Sequence, residues 1–503
     1  MADLRFLLLC LFSLAVTLVQ AQEPQQPYRL ELPLEINTTD VEVIALPDSS
    51  LLLYTKKSNI WGNKADFAVQ KYNSKLEEVW HKDYDLEAQD FFMHSYLDGG
   101  ATYLAFGNID PQKYKFMRIN NATGETTITT HELEAIRGIT EFHVLQGRYF
   151  LVGVAKNDRN PLLLFVNPEN GEAKPLPAIY GYESTFSDIR TNPDHQRVDV
   201  VLTEANNRIS RLQVKSFDAD GNLISNHFIL QHDDKNLLNA EVTPGDTTTR
   251  MLIGVYGAGS LQLSQGFFTA PVVSHQEANG EFYNFLQLRN SFKYMSPRRE
   301  ERVRRREAER IQSGKQPSYR HKLLLHDLVT TPEGYILTAE AYVTQRRGSG
   351  SSFNSLRHNP YTYLSPALSA ARDQEEYKHT HAVTLGFDKN GVLLWDNLFV
   401  LKDIITPTIT KSIETSYTSG GNVVIVYPEE DNIIYHVMDK DKYNDERVEL
   451  ELLTTDKTEK ISSTDQLGII PWYQGSFLAF GFQRLRRGYA ESRSTFFINR
   501  ITF

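Results

Sequence analysis

The chain alternates between short apolar runs and turns rich in Gly, Pro and Asp. Eight runs stand out, each directly after such a turn, and they begin at Leu51, Thr102, Tyr149, Val198, Met251, Tyr335, Asn422 and Phe477. Gly supplies positive φ, and Pro and Asp favour tight turns. Because the runs are too short and too closely bounded by turn residues for helices, the pattern predicts eight strands buried on both faces.

The runs recur at a nearly constant spacing. Consecutive starting points lie 47 to 55 residues apart, except for two gaps of 84 and 87 residues. These two gaps fall to 52 and 53 once the atypical segments 289–320 and 345–378 are set aside. A period of about 50 residues fits four short strands with their turns, which is one blade of a β-propeller. We therefore predict an all-β fold, a β-propeller of eight blades, with seven as the alternative if one run is a loop.

A hairpin motif follows many of the runs, with a polar turn between two strand-like flanks. Five segments share it: YNSKLEEVW (72–80), INNATGE (119–125), VNPENGE (166–172), FDADGNLIS (217–225) and FDKNGVLLW (387–395). Asp or Asn accepts backbone hydrogen bonds in such a turn, and Gly takes the left-handed position. We interpret the flanks as the third and fourth strands of a blade. Trp80 and Trp395 then lie near the start of the outer strand, where an indole can pack against a neighbouring blade.

The apolar run followed by this Asp- and Gly-centred hairpin resembles the repeats of secreted bacterial β-propeller proteins. INNATGE and VNPENGE also resemble the quinoprotein-type repeat, in which neighbouring blades are locked together. The resemblance covers nearly the whole chain after its first segment and implies the fold. It implies no activity, because no catalytic motif of a family is matched and a fold does not specify a function.

The two ends of the chain predict export and ring closure. Residues 1–21 have the charge, apolar core and cleavage site of a signal peptide, with a retained anchor as the alternative. Cys10 is the only cysteine, so cleavage leaves no disulfide and no thiolate site. YRLELPLEI (28–36) alternates like a strand without a hairpin partner, and STFFINRITF (494–503) ends one strand short of a blade. We expect the first strand to complete the last blade, giving one propeller domain over 22–503.

The first atypical segment, 289–320, predicts a basic surface helix. Ser296 is a suitable N-cap, Pro297 suits the first helical position, and Gly314 can end the helix. The segment carries eleven Lys or Arg and four Glu, a net charge of +7, whereas the chain as a whole carries −10. An anionic envelope component or protein partner would bind such a helix; the alternative is a helix that only docks on the acidic ring. The candidate binding residues are Arg298, Arg299, Arg302, Arg304, Arg305, Arg306 and Arg310.

The second atypical segment, 345–378, predicts a decorated loop. A Gly/Ser tract occupies 348–352, and a turn with a short helix is expected between Pro360 and Ala371. Arg and Tyr are favoured in recognition surfaces. A loop without a ligand is the plainer interpretation. Four residues are candidates for the rim of a pocket: Arg346, Arg347, Tyr361 and Tyr363.

Catalytic and metal-binding motifs are not apparent in the sequence. His379 and His381 are two apart on a predicted strand, so we expect both to point the same way as exposed side chains, without a third metal ligand. His321 and His326 are expected to face apart. We find no Gly-rich phosphate loop, nucleophile elbow or calcium loop, and we predict no catalytic residue, metal or cofactor. A quinone-dependent oxidoreductase would need a calcium and cofactor ligand set that the sequence does not show.

The favoured hypothesis is a non-catalytic binding or scaffolding protein of the bacterial envelope or exterior. It would be secreted or periplasmic, with association with the outer membrane as a further option. Deletion of 289–320 is then expected to leave a folded protein without its partner. The alternative is a carbohydrate-active hydrolase or lyase at the mouth of the axial channel. Carboxylates with raised pKa in an axial pocket would favour the enzyme, and an apolar plug would exclude it. A membrane barrel is disfavoured because the runs are apolar on both faces, and nucleic acid is not expected to bind an acidic exported chain.

Overall fold

Each of the eight apolar runs forms the second strand of its own antiparallel sheet. The run from Leu51, for example, opens a strand whose first six residues are buried. The eight sheets follow one another around a ring, so the chain is an eight-bladed β-propeller, as predicted. The computed structural model describes residues 23–58, 65–110, 112–156, 160–177, 184–206, 209–229, 235–273, 280–346, 375–402, 404–488 and 491–503.

The first four blades each have four strands in sequence order. Blade 1 consists of β2 (Thr39–Ala45), β3 (Leu51–Ser58), β4 (Ala65–Tyr72) and β5 (Glu78–Tyr84). Blade 2 consists of β6 (Phe91–Asp98), β7 (Ala101–Gly107), β8 (Lys113–Asn120) and β9 (Thr126–Glu132). Blade 3 consists of β10 (Ile136–Leu145), β11 (Arg148–Ala155), β12 (Pro161–Val166) and β13 (Ala173–Pro175). Blade 4 consists of β14 (Ser184–Asn192), β15 (Arg197–Ala205), β16 (Ser210–Asp218) and β17 (Leu223–Ile229).

The remaining blades follow the same plan, with additions in blade 6 and a shared strand in blade 8. Blade 5 consists of β18 (Lys235–Val242), β19 (Met251–Ala258), β20 (Gly266–Pro271) and β21 (Glu281–Asn284), and helix α1 (Pro297–Gln312) follows it. Blade 6 consists of β22 (Lys322–Leu325), β23 (Val329–Thr330), β24 (Gly334–Arg346), β25 (Glu375–Asp388), β26 (Leu393–Val400) and β27 (Ile405–Thr406). Blade 7 consists of β28 (Glu414–Tyr417), β29 (Val423–Glu429), β30 (Asn432–Met438) and β31 (Val448–Glu451). Blade 8 consists of β32 (Lys460–Pro471), β33 (Phe477–Arg487), β34 (Glu491–Thr502) and β1 (Gln25–Leu32).

The core lies between the blades. Eight apolar clusters of described residues each combine side chains from two successive sheets, including one that joins blade 8 to blade 1. In that closing cluster Leu51 and Val41 pack with Leu478 and Phe480. The second strands are therefore buried on both faces, because each sheet is covered by a neighbouring sheet on either side.

The ring closes as predicted, with β1 pairing antiparallel to β34. Tyr28 lies opposite Arg500 and Leu32 opposite Phe496. The strand ends at Leu32 rather than at residue 36, because Pro33 has no N–H with which to continue the ladder. Burial raises the pKa of Glu31 on this strand, but hydrogen bonds from arginines, the Arg493 bond first, lower it to about 2.

The five hairpin motifs connect third and fourth strands, as predicted. Trp80 packs in the cluster between blades 1 and 2 and donates from Nε1 to the carbonyl of Asn121 (3.3 Å), in the INNATGE turn of blade 2. Trp395 packs in the cluster between blades 6 and 7. Gly386 lies directly against the Trp395 indole, where an added Cβ would overlap the ring. Both indoles therefore join neighbouring blades.

Candidate functional site

The first strands of the blades surround the axis of the ring. First strands of successive blades contact one another, as β10 does with β6 and β14, and β14 with β18. In six blades a carboxylate lies on the first strand, or in the turn beside it, eight to ten residues before the main apolar run: Glu42, Glu141, Asp188, Glu241, Asp327 and Glu414. We call Glu141, Asp188, Arg190, Glu241, Asp327, Lys411 and Glu414, which belong to blades 3 to 7, the axial cluster.

Members of the axial cluster interact electrostatically across different blades. Burial raises the pKa of Asp188 and of Glu241, and the negative charge of Asp327 raises both further. Burial also raises the pKa of Glu414 to about 8, against the opposing effect of Lys411. Because charges on blades 4, 5, 6 and 7 influence one another, these side chains converge on one region of the opening.

The cluster borders water. The Asp327 side chain is 86% exposed and Lys411 is 40% exposed, yet both lie among the innermost elements, with Nζ 2.6 Å from Oδ1. Asp188 and Glu414 are half-buried. The surrounding wall of the ring favours a higher pKa for Asp327 although water reaches its carboxylate, but the charge and hydrogen bond of Lys411 hold this pKa below its usual value. The described part of the opening between blades 4 and 7 is thus lined by charged groups that water reaches, not by an apolar plug.

Glu340 on β24 fixes one wall of this opening. Its carboxylate is fully buried and accepts hydrogen bonds from Nε2 of His326 (2.7 Å), the amide of Ser412 (2.8 Å), the Ser412 hydroxyl and the amide of Ile413 (3.3 Å). Nδ1 of His379 lies 2.6 Å from its other oxygen. Burial raises the pKa of Glu340, but the hydrogen bonds and charges of the two histidines hold it far below the usual range.

The role of Glu340 follows from where its partners lie. Ser412 and Ile413 separate Lys411 from Glu414, so the carboxylate of blade 6 holds the backbone from which two members of the axial cluster extend. Glu340 is therefore a positioning residue for Lys411 and Glu414, and it also joins blade 6 to blade 7.

The prediction that His379 and His381 point the same way as exposed side chains is wrong. Both are buried, and they lie on opposite faces of β25, because the pairing with β24 shifts at Thr380. A bulge of this kind inserts one residue and reverses the facing of those beyond it. His379 therefore meets Glu340, whereas His381 lies on the other face.

His321 and His326 do face apart, as predicted. His326 shares the Glu340 carboxylate with His379, and His321 packs against His381, with the two rings 5.0 Å apart. Tyr294 stacks on His381 at 4.2 Å. Burial lowers the pKa of His321 to about 4 and that of His381 well below its usual value, so this face is an uncharged aromatic contact. Within the described ranges, no three His, Cys, Asp or Glu side chains are placed to hold a metal ion.

The predicted basic helix is present as α1, with Pro297 at its first position and Gly314 in the left-handed region after its end. The apolar side chains of α1 do not all face the protein, because Ala308 and Ile311 are exposed. The inward face is instead formed by Val303, Arg304 and Glu307. Glu307 is fully buried and accepts a hydrogen bond from the amide of Ser318, 2.5 Å away, so the segment after the helix is folded back on it.

Arg304 and Arg310 are used inside the protein. Arg304 donates to the carbonyls of Leu286, Leu288 and Arg289, pairs with Glu300 and covers the ring of Phe292, 4.7 Å away. Arg310 donates to the carbonyl of Gln316 (3.2 Å). The other five candidates lie on the exposed face of α1: Arg298, Arg299, Arg302, Arg305 and Arg306.

The segment before the helix is part of the ring. The amides of Arg289 and Asn290 donate to the Asp396 carboxylate of blade 6 (2.8 and 2.7 Å), and Arg289 pairs with Asp441 of blade 7 (2.6 Å). Phe292 is fully buried in the core between blades 5 and 6. Deletion of 289–320 would therefore remove core and interblade contacts, contrary to the expectation of an unaffected fold.

The structure says less about the remaining candidate residues. Arg346 ends β24, and its side chain lies outside the described residues, as do Arg347, Tyr361 and Tyr363. The strands β24 and β25 extend into the predicted insertion from both sides, because Gln345 and Arg346 pair with Glu376 and Glu375. The signal-peptide prediction for 1–21 also falls outside the described residues.

Sequence reasoning missed the axial carboxylates, although a signal was available. In six blades an Asp or Glu stands eight to ten residues before the start of the main apolar run, as Glu42 does before Leu51 and Glu414 before Asn422. Five of these carboxylates lie on short strands and Asp327 lies between β22 and β23. From the sequence alone each is expected to be exposed, because only the ring places all first strands around one axis.

Comparison with known proteins leaves the family open. No protein-family model matches the chain, and no curated protein matches it. Among the described residues, no helix is both long and apolar enough to cross a membrane.

Solved structures of similar shape belong to proteins with different activities. Prolyl oligopeptidase B from Galerina marginata has a TM-score of 0.42 at 8% identity, over 90% of this chain and 56% of that one. The chain thus spans little more than half the length of that protein. The polysaccharide lyase Uly1 has a TM-score of 0.39 at 10% identity, over 82% of this chain and 89% of the other. Neither peptidase nor lyase activity follows for this chain from similarity at this level.

Proposed function

We propose that this chain is a binding or scaffolding protein of the bacterial envelope or exterior, which meets an anionic partner through the outward face of α1. The observation that carries the proposal is the sorting of charges on the helix. Glu300 and Glu307 are turned towards the protein, where Glu300 pairs with Arg304 and Lys293. Five arginines are exposed, and of these only Arg306 lies at ion-pair distance from a carboxylate among the described residues, 3.6 Å from Glu307.

The mounting of the helix supports the same proposal. Arg304 fastens α1 to the carbonyls after blade 5, and Glu307 fastens the following segment to α1. Because the helix backbone is already fixed, only the exposed arginine side chains lose conformational freedom when a partner binds. The rest of the chain is strongly acidic, since the segment 289–320 carries +7 in a chain of net charge −10. An anionic partner is therefore repelled by most of the surface and attracted to this patch, which favours one orientation.

The test replaces exposed arginines rather than deleting the segment. The variant R302Q/R305Q removes two exposed charges from α1, and R484Q/R486Q removes two exposed charges from β33 as a matched control. We expect the wild type and the control to sediment with vesicles containing anionic lipid, but not with neutral vesicles, and binding to weaken as salt is raised. R302Q/R305Q should bind at least several-fold more weakly. Equal losses in both variants, or no binding by the wild type to vesicles or to an acidic polysaccharide, would contradict the proposal.

A carbohydrate-active hydrolase or lyase is the second candidate, and the axial cluster specifically favours it. Glu414, with a pKa near 8, keeps its proton at neutral pH and is suited to act as a general acid. Asp188 lies in the same region with a raised pKa and is available as its partner. Reducing ends or unsaturated products released from polysaccharides by the wild type, lost in E414Q and retained in R302Q/R305Q, would favour the enzyme over the binding protein.

A further inference from the structure

A cleft of about 490 Å³ lies between blades 2 and 3, and it shares no residue with the axial cluster or with α1. Four residues of blade 2 line it, one from each strand: Asp98 at the end of β6, Tyr103 on β7, Arg118 on β8 and Thr127 on β9. Arg148 and Tyr149 line it from β11. The volume falls within the range of small-molecule sites, roughly 300 to 1,000 Å³.

The floor of the cleft is already ordered. Tyr103 and Tyr149 are both buried, with ring centroids 6.1 Å apart in an edge-to-face arrangement. The amide of Gly147 donates to Asp98 (3.3 Å), which ties the turn of blade 3 to that of blade 2. Burial raises the pKa of Tyr149 to about 12, so its hydroxyl keeps its proton. A ligand would therefore meet a preformed surface, which lowers the entropic cost of binding.

The charges in the cleft are only partly paired within the protein. Arg148 binds Glu169 through both terminal nitrogens (3.2 Å each), which neutralises both. Arg118 donates only from Nε, to the Tyr103 hydroxyl (3.2 Å), and within the described residues no carboxylate oxygen lies at ion-pair distance from its guanidinium. Burial raises the pKa of Asp98, and the charge of Arg118 opposes this, so Arg118 and Asp98 face the same space.

We propose that this cleft binds an acidic sugar residue, a hexuronate. The free edge of the Arg118 guanidinium matches a carboxylate in a bidentate arrangement. Asp98 and Thr127 supply acceptors and a donor for ring hydroxyls. A phosphate is disfavoured, because its second negative charge would lie beside Asp98.

Calorimetric titration of the full chain with D-glucuronate, D-glucose and acetate tests the proposal. We expect glucuronate to bind at least tenfold more tightly than either glucose, which lacks the carboxylate, or acetate, which lacks the ring. R118Q should weaken glucuronate binding at least tenfold. The control R211Q, an exposed arginine of blade 4, should bind like the wild type.

The outcomes are distinguishable from those for α1. Absence of glucuronate binding by the wild type, equal binding of glucose or acetate, or an unchanged affinity in a folded R118Q would each overturn the proposal. If R118Q is unfolded by circular dichroism, R118K answers the same question, since it keeps the charge and loses the bidentate fork. R118K should fall below the wild type, and an affinity equal to the wild type would overturn the bidentate recognition. Vesicle binding through α1 is not affected by either result.

Discussion

Replacing Glu340 tests whether one buried carboxylate holds blade 6 to blade 7. In E340L the amides of Ser412 and Ile413, the Ser412 hydroxyl and Nε2 of His326 lose their acceptor. Hydrogen bonds to a charged group contribute about 1.5–3 kcal/mol each, but members of one network are not additive. Removal of one partner of a buried ion pair costs about 3–5 kcal/mol. We therefore expect E340L to lower the free energy of unfolding by about 3–5 kcal/mol.

A graded series makes the reasoning refutable. E340Q keeps one acceptor oxygen and should cost about 1–3 kcal/mol. The control E333Q changes an exposed carboxylate that pairs with exposed Lys440, and should cost at most about 1 kcal/mol. Urea unfolding followed by tryptophan fluorescence measures the three midpoints, and hydrogen exchange at Ser412 and Ile413 reports the local effect. Equal midpoints for E340L and E333Q, or rapid exchange of both amides in the wild type, would refute the role of Glu340.

The pH dependence of the same series has a defined sign. The folded state lowers the pKa of Glu340, so its contribution to stability is present above the unfolded value, about 4.3, and is lost as the pH falls towards the folded value. The difference between wild type and E340Q should therefore shrink when unfolding is measured below about pH 4. A difference that grows with acidity would contradict the assignment.

Three further predictions concern other parts of the ring. G386A should cost about 2–4 kcal/mol, because the added methyl group meets the Trp395 indole and overpacks the core; thermal unfolding measures it, and a change below 1 kcal/mol would contradict the contact. E31Q should destabilise the protein by about 1–2 kcal/mol at pH 7, after allowance for screening. The effect should fade between about pH 4.5 and 2, since the pKa of Glu31 in the folded protein is lowered to about 2. A constant difference between the urea midpoints of wild type and E31Q across this range would disprove it. The pKa of Glu414 is raised to about 8, so the stability that its protonated form confers is present below about pH 4.5 and is lost as the pH rises through 8. At pH 9, E414Q should therefore unfold at a higher urea concentration than wild type. A lower urea midpoint for E414Q would count against the raised pKa.

The sequence predicted the propeller ring, but not the charged groups that lie around its axis. Strands at a period of about 50 residues report burial that depends only on the neighbouring blades, so the second strands from Leu51 to Phe477 were identifiable one by one. The axial carboxylates were not, because their proximity arises only when first strands far apart in the chain meet around the axis. His379 and His381 were misplaced because a bulge at Thr380 cannot be seen in a two-residue alternation.

The helix shows a similar boundary between local and tertiary information. Pro297 and Gly314 are local signals, and they predicted the ends of α1. The face that turns inward depends on what lies beneath it, and carbonyl groups after blade 5 select Arg304 in preference to Ile311. Which arginines of a basic helix are structural and which are exposed can therefore be decided only when the surface beneath the helix is known.

The pairing of Gln25–Leu32 with Glu491–Thr502 has a consequence for biosynthesis. The strand β1 finds its hydrogen-bonding partner only after the seven blades that follow it in the chain have been synthesised. At roughly 5–20 residues per second, β1 waits for about half a minute or longer before β34 is made, and its edge stays unpaired during that time. Blades 1 to 7 can assemble one after another during this time, but blade 8 cannot form until Glu491–Thr502 has been synthesised. A truncated chain would consequently expose an adhesive strand edge rather than form a slightly smaller circle.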